Sequence, residues 1–511
     1  MPLDQSIMNI LLLLDMAASA DPDRLALGDR SLGYTTGRLF DLAGRAARLF
    51  GAFGTHRVVH TAESSPALPV ALFGAAWAGQ PFVPLNYRLA DDRLRELIAA
   101  QAPALAIIDP GTEVRHAGLD GVQVMTTVDF LEAVASVEPA EPDWSNEPDD
   151  LAVLLHTSGT SGTPKAAVLR HAHLSNYVTG TVDFLGSDEQ EATLASVPPY
   201  HIAAIAGMLT AVYGGRRLVQ LPSFEARAWV DLARSEQITH AMTVPTMLAR
   251  ILDEIDPDTG GDGSGLPSVQ HLSYGGGRMP VPVIERAMRL LPGVNFVNAY
   301  GLTETSSSIA LLGPEDHRQA LASDDPSVRR RLGSVGRPLP TVEITVRDPQ
   351  GAVVPAGVHG EIWVRGEQVS GEYLHQSARP GDGWFPTRDE GWFDDDGYLY
   401  VEGRLDDVIV RGGENLSPGE IEDVLLQHPA VREAAVVGVP DDQWGEVVAA
   451  VVVLHADTAA RPDELADFVT ARLRSTRRPA IVDVRSELPV NEAGKVLKRV
   501  LRAELAAKRP A

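Results

Sequence analysis

Residues 151–170 constrain this chain more than any other segment. Leu151–Thr157, LAVLLHT, is an apolar run with the length of a buried strand. It runs into HTSGTSGTPKAAV, His156–Val168, where Thr157, Ser158, Gly159, Thr160, Ser161, Gly162, Thr163 and Lys165 form one dense cluster. Small residues let backbone N–H groups approach an anion, hydroxyls add donors, and the lysine adds a positive charge. A buried strand feeding such a loop is a common phosphate-binding arrangement. An ordinary Ser/Gly/Thr loop explains one or two such residues, but not this density. A Walker-type loop needs Gly-Lys followed directly by Ser or Thr. Here Pro164 precedes Lys165 and Ala166 follows it, so that reading fails.

Helical and strand-like patterns alternate along most of the chain, as in the apolar run Ala67–Ala78 followed by the strand-like PFVPLN. This alternation predicts α/β architecture. A chain of 511 residues is too long for one ordinary core, so at least two domains are expected. Asp253–Ser268 is rich in Asp, Gly and Ser and reads as an exposed loop. Gly313–Arg331 is polar, with charges of both signs, and also reads as loop-like. From about Gly333, short strands and turns predict a β-rich subdomain. After Gly403 the pattern changes again. SPGEIEDVLLQ places a serine at a helix start with Glu420 three residues on, a capping-box arrangement. EAAVVGVP and EVVAAVVVL read as strands, and DELADFVTARLRS as an amphipathic helix. The boundary is placed at Gly403–Asp406. The expected fold is a large N-terminal domain, residues 1–403, of mixed sheets and helices with a β-rich subdomain. A small α+β domain, 404–511, follows.

Charge and composition exclude several functions. The net charge of -25 repels phosphate backbones, so nucleic acid is not an expected partner, and a bound polyanion needs a local cluster of donors. The absence of cysteine removes disulfides, thiolate metal sites and a cysteine nucleophile, and fits a reducing compartment. The apolar run Ile7–Leu14 is short and has no basic residue ahead of it, so it is not read as a secretory signal. No stretch approaches the ~20 apolar residues of a membrane span. A cytoplasmic location is expected.

TSGTSGTPK resembles the nucleotide loop of the adenylate-forming superfamily: acyl-CoA synthetases, peptide-synthetase adenylation domains and luciferases. Four further segments match in order: PPYHIAA at Pro198–Ala204, AYGLTET at Ala299–Thr305, the long segment Thr387–Glu422, and PVNEAGK at Pro489–Lys495. Softer matches, GAAWAGQPFVPLNYRL and LGSVGRPLP, extend the resemblance over nearly the whole chain. It implies a two-step reaction. A carboxylate first attacks the α-phosphate of ATP, and a thiol then attacks the acyl-adenylate. The two anions of the first step need cations and oriented donors, and a mobile small domain rearranges the site between steps.

Residue roles follow from the same resemblance. Thr157–Lys165 closes over the β- and γ-phosphates, Thr303 contacts the α-phosphate, and Glu304 is the magnesium ligand. Gly275, Gly276 and Gly277 lie against adenine and the acyl pocket, and Asn298, Ala299, Tyr300 and Gly301 complete the nucleotide site. Asp389 binds the ribose hydroxyls, Arg404 is a second ribose or phosphate contact, Asp406 is the hinge, and Lys495 bridges the carboxylate and α-phosphate. The acyl group is expected among His201, Ile202, Gly207, Gly276 and Gly301. His201 either gates that pocket or fills space beside Tyr200. Arg388 stands where the family usually has glycine, and either crowds the ribose or points away. Gly371–Pro386 matches poorly and is assigned no role.

RGGENLSPGEIE, Arg411–Glu422, resembles acyl- and aryl-CoA ligases such as the 4-chlorobenzoate and 4-coumarate ligases. Coenzyme A is therefore the expected acceptor. Gly412 and Gly413 would line a pantetheine tunnel, Trp444 would stack on the coenzyme's adenine, and Arg477 and Arg478 would meet its phosphates. Trp444 also fits plain packing. No carrier domain is expected after Lys495. An adenylating enzyme that loads a separate carrier protein is the alternative, and a nucleotide-binding sensor on the same fold is a third. Small residues line the expected pocket segments, which suits an aromatic or medium-chain acid. Arg278, in the middle segment, keeps a dicarboxylate open.

Overall fold

The computed structural model describes residues 9–144, 147, 149–157, 165–374, 376–378, 381–412, 414–441, 443–456, 458–490 and 496–508. Two large sheets share one buried layer of helices. The eight-stranded sheet takes Arg57–Thr61, Phe82–Pro84, Ala104–Ile108, Val122–Thr126 and Leu151–Thr157 in parallel, then adds Lys165–Arg170 antiparallel. The nine-stranded sheet has parallel strands from Arg217–Gln220 to Asn295–Leu302, with Ser307–Leu312 antiparallel at one side. Every residue of the helix Ala67–Trp77 is buried. A helix apolar all round belongs inside a large core. Its neighbours include the helices Ile10–Ala20, Thr36–Phe53 and Thr127–Ser136, and residues of the helix Ile202–Gly214 and of both sheets join the same apolar cluster. A Cβ at Gly74 would come within 2.6 Å of the Ala46 methyl, so glycine sets how closely two of these helices approach.

Val342–Arg347, Gly360–Gly366, Phe385–Phe393 and Leu399–Arg404 form the β-rich subdomain, a four-stranded antiparallel sheet. The C-terminal domain has a five-stranded sheet of its own. In the strand Gly445–Leu454, Val448, Ala450 and Val452 face one apolar cluster, while Val447, Ala449, Val451 and Val453 face another. Helices cover both faces, which is why this strand reads as continuous valine and alanine. No helix among the described residues is long and apolar enough to cross a membrane.

Three local expectations are corrected. Gly313–Arg331 is mostly helical, with α-helices at Pro314–Ala322 and Pro326–Arg329 and a 3-10 turn at Arg330–Gly333. Prolines open both helices, and only His317 and Ala320 of the first are buried, so a polar sequence gives little apolar period to read. Asp253–Ser268 begins with the end of the helix Pro245–Ile255 and a 3-10 turn, Pro257–Thr259, before the irregular part. The capping box at Ser417 does not form. The Ser417 hydroxyl turns to the Glu402 carbonyl and carboxylate, each at 3.3 Å, and Glu420 pairs with Arg477.

Candidate active site

Glu304 sits in a 3-10 turn, Thr303–Thr305, directly after the strand Asn295–Leu302. Thr303 is half-buried in the same turn. Glu304 is 8% exposed, and its Oε1 accepts the Tyr373 hydroxyl at 2.6 Å. Burial, with the Glu304 carboxylate beside it, pushes the Tyr373 phenol well above its ordinary pKa, so it remains a donor. The turn is wound by two left-handed residues, Ser306 at φ 57 and Ser307 at φ 125. Such conformations cost ~1–3 kcal/mol each and persist only where neighbours over-determine them. Gln368 supplies that constraint, its amide bonding the carbonyls of Thr305 at 3.1 Å and Ser308 at 2.9 Å. A Cβ on Gly301 would overlap the Ser307 carbonyl, so only glycine fits there.

The strands that flank the Gly/Ser/Thr-rich segment meet this turn through residues 368–373. Thr157 and Lys165 are register partners at the ends of their strands. The N–H groups of Ser370 and Gly371 bond the Glu304 carbonyl at 2.8 and 3.2 Å, and the Ser370 hydroxyl bonds the Val168 carbonyl. Tyr373 pairs with Ala167, and the Lys165 ammonium lies over its ring, 5.2 Å from the centroid. Ser158, Gly159, Thr160, Ser161, Gly162, Thr163, Gly413 and Lys495 lie outside the described residues.

Asp389 and Arg404 are register partners on adjacent strands of the β-rich subdomain. Asp389 accepts Arg404 Nε at 3.0 Å and the Tyr300 hydroxyl at 2.6 Å. Burial, with Asp389 adding, pushes the Tyr300 phenol well above its ordinary pKa. Arg404 lies within electrostatic reach of Asp389, Tyr300, Glu304 and Tyr373, so the two carboxylates share one locality. Arg388 points away from Asp389, pairing with Asp406 at 3.1 Å and reaching Glu361 at 3.9 Å. Its φ of 63 explains why glycine suits this position.

Gly275 pairs with Ala299, and a Cβ on Gly275 would overlap the Ala299 carbonyl. Gly276, at φ 76, and Gly277 follow beside Val244 and Pro245. The Asn298 amide is buried on the Ser334 carbonyl at 2.8 Å, which fixes the strand. His201 caps the helix that carries Ile202 and Gly207, with its ring 4.8 Å from Tyr200. A Cβ on Gly207 would meet nothing within 4 Å, which leaves open space along that helix face. Arg278 turns to the C-terminal domain, pairing with Asp423 and lying 3.6 Å from Glu402. Its charge is thus taken by protein carboxylates.

In the C-terminal domain Trp444 is 45% exposed, with Gly412 and the Arg411 guanidinium against one part of the ring. Arg477 is held by Glu414 at 2.6 Å and Glu420 at 2.8 Å, while the more exposed Arg478 pairs with Asp467 at 2.9 Å. Among the described residues no group of three His, Cys, Asp or Glu is arranged to hold a metal. A single carboxylate fits magnesium, which takes oxygen donors and shares its sphere with water and substrate phosphates.

A buried carboxylate in a tight turn, a carboxylate–arginine pair and the strand that leads into the Gly/Ser/Thr-rich loop lie at one locality, and the family comparison gives the class, an AMP-binding enzyme. The AMP-binding enzyme family matches residues 14–374, and the AMP-binding enzyme C-terminal domain matches residues 420–495. The chain belongs to this family of adenylate-forming enzymes. It is 33% identical to 2-succinylbenzoate–CoA ligase of Bacillus licheniformis, over 96% of this chain and 98% of that one. It is 30% identical to the fatty acid–[acyl-carrier-protein] ligase ScoC of Streptomyces coeruleorubidus, over 87% and 86%. O-succinylbenzoate coenzyme A synthetase (MenE) from Bacillus subtilis, solved with ATP and magnesium, superposes at a TM-score of 0.81. That match has 29% identity and covers 96% of this chain and 98% of MenE.

Proposed function

We propose that the chain joins an aromatic or medium-chain carboxylic acid to coenzyme A through an acyl-adenylate, converting ATP to AMP and pyrophosphate. The observation that carries the reading is the convergence of Glu304, Asp389 and Arg404 beside the phosphate-loop strands. The acid's carboxylate oxygen attacks the α-phosphorus and pyrophosphate leaves with the bonding pair. The coenzyme's sulfur then attacks the acyl carbon and AMP leaves. Glu304 would hold a magnesium ion, which when bound would supply positive charge to the triphosphate. Lys165 faces the same phosphates, and Asp389 with Arg404 fixes the ribose so that attack is in line. Thr303 meets the α-phosphate.

Residues 404–511 act as a swinging domain about Asp406. Lys495 enters for adenylation, and the face carrying Gly412 and Trp444 enters for thioester formation, where Gly413 also serves the pantetheine. Arg478 serves the coenzyme's phosphates, whereas Arg477 chiefly braces its own domain. The open face beside Gly207 and the engagement of Arg278 by Asp423 favour an acid without a second carboxylate at that point. The protein is expected to work in the cytoplasm.

The likeness to ScoC favours one second reading, transfer to a carrier protein. A panel of aryl, medium-chain and dicarboxylic acids, assayed for AMP with and without coenzyme A, tests both. Acid-dependent AMP formation that coenzyme A stimulates supports the ligase. Pyrophosphate release indifferent to coenzyme A, with loading of a phosphopantetheinylated carrier, supports the alternative. Absence of any acid-dependent pyrophosphate release overturns both.

A further inference from the structure

We propose that Tyr373 is a positioning residue for adenylation, holding the metal carboxylate and the phosphate-loop lysine in fixed relation. The inference rests on the reading of Glu304 as the magnesium ligand. Residues 371–386 carry little resemblance to the family, yet Tyr373 joins the site's two halves. Its hydroxyl donates to Glu304 Oε1 at 2.6 Å, and its ring lies beneath the Lys165 ammonium at 5.2 Å. Tyr373 and Lys165 lie on neighbouring strands of the eight-stranded sheet, and Glu304 lies in the turn that follows a strand of the nine-stranded sheet, so this side chain links the two sheets.

The chemistry suits a positioning role. A hydroxyl bonded to Oε1 fixes the carboxylate's rotation and leaves Oε2 for a cation, to which no described residue donates. The electron-rich ring face favours an ammonium at that height, which limits where Lys165 can meet a phosphate. A hard cation and an ammonium that bind one polyphosphate need a fixed separation, and both are set here by one rigid ring.

The backbone at Tyr373 is anchored without its hydroxyl. The N–H of Leu374 bonds the Ala166 carbonyl at 2.8 Å, and Glu372 pairs with Arg170 at 2.8 Å. Tyr373→Phe therefore keeps strand and ring and removes one donor.

The test measures ATP binding by calorimetry against magnesium concentration, without acid or coenzyme A, alongside the two half-reactions. Tyr373→Phe is expected to need about tenfold more magnesium for half-maximal ATP binding, the scale of a hydrogen bond to a charged group. The KM for magnesium–ATP should rise with it. Thioester formation from supplied acyl-adenylate should stay within about twofold of the parent, because no metal-bound triphosphate takes part. Tyr373→Leu should also weaken metal-free ATP binding, which Tyr373→Phe leaves intact. An unchanged magnesium dependence in Tyr373→Phe overturns the proposal. So does an equal loss in both half-reactions with a fall in melting temperature, which marks a structural role. If the parent protein binds no magnesium–ATP, the functional reading fails first. If it binds but no acid is turned over, the binding comparison still decides Tyr373.

Discussion

Two tyrosines hold the two buried carboxylates of the site, Tyr300 on Asp389 and Tyr373 on Glu304. Both carboxylates stand in segments whose residue order is recognisable, so the sequence exposes them. Their partners are separated from them by 89 and 69 residues, and no local pattern encodes such pairs. At this scale Lys495→Ala is expected to slow adenylation by more than the ~2.7–4 kcal/mol of one lost oxyanion donor. It should spare thioester formation from supplied acyl-adenylate, and single-turnover measurement of each half-reaction checks both. Trp444, at 45% exposed, offers its ring as a stacking surface. Trp444→Ala should weaken coenzyme A by the ~1–3 kcal/mol of a stacked base, read as the coenzyme's Michaelis constant. No change there would return Trp444 to packing.

Elements met the expectation where apolar period dominated. Leu151–Thr157, Ala67–Trp77 and Gly445–Leu454 form as read, because each is buried on more than one side. The helix Pro314–Ala322 went unread because its buried stripe is only two residues, and its start is set by proline and by Asp316 accepting the Gly313 N–H at 3.1 Å. Arg388 shows the reverse case, a residue whose local conformation and contacts pull in opposite directions. A left-handed non-glycine residue costs ~1–2 kcal/mol. Against that, its exposed pair with Asp406 stabilises by ~0.2–1 kcal/mol, and glycine would add unfolded-state entropy worth ~0.4–1 kcal/mol. These terms nearly cancel, so Arg388→Gly should shift unfolding stability by less than about 1 kcal/mol in urea titration. A β-branched Arg388→Val, which tolerates φ 63 poorly, should lose more.

Across the whole molecule, burial of histidine ties stability to pH. His60 is 1% exposed, with neither ring nitrogen bonded to a described residue, and burial depresses its pKa to about 3. Burial likewise depresses His171 to about 4 and, with Arg216 opposing charge, His240 to about 3. A histidine neutral when folded and protonated when unfolded stabilises fully above the unfolded value, and that contribution is lost as pH falls towards the folded one. Stability should therefore decline from about pH 6.5 downward, with a slope of up to ~1.4 kcal/mol per pH unit for each such histidine. Urea titrations between pH 7.5 and 5.5 check this, and His60→Leu should flatten the slope. A pH-independent midpoint over that range would contradict it.

The chain's own order of residues determined the chemistry on offer: a glycine-, serine- and threonine-rich loop after an apolar strand, acidic residues in recognisable settings, and a separate C-terminal unit. These are local properties, set by side-chain type, backbone freedom and hydrophobic period, so one dimension suffices to carry them. Tertiary structure decided which donor meets which acceptor. It drew Tyr373 between two sheets, turned Arg388 towards Asp406 and Arg278 towards Asp423, and gave Arg477 to two glutamates. Such pairings depend on where separate layers pack and on how far a long side chain reaches once they have. A sequence pattern has no access to either until the core is assembled.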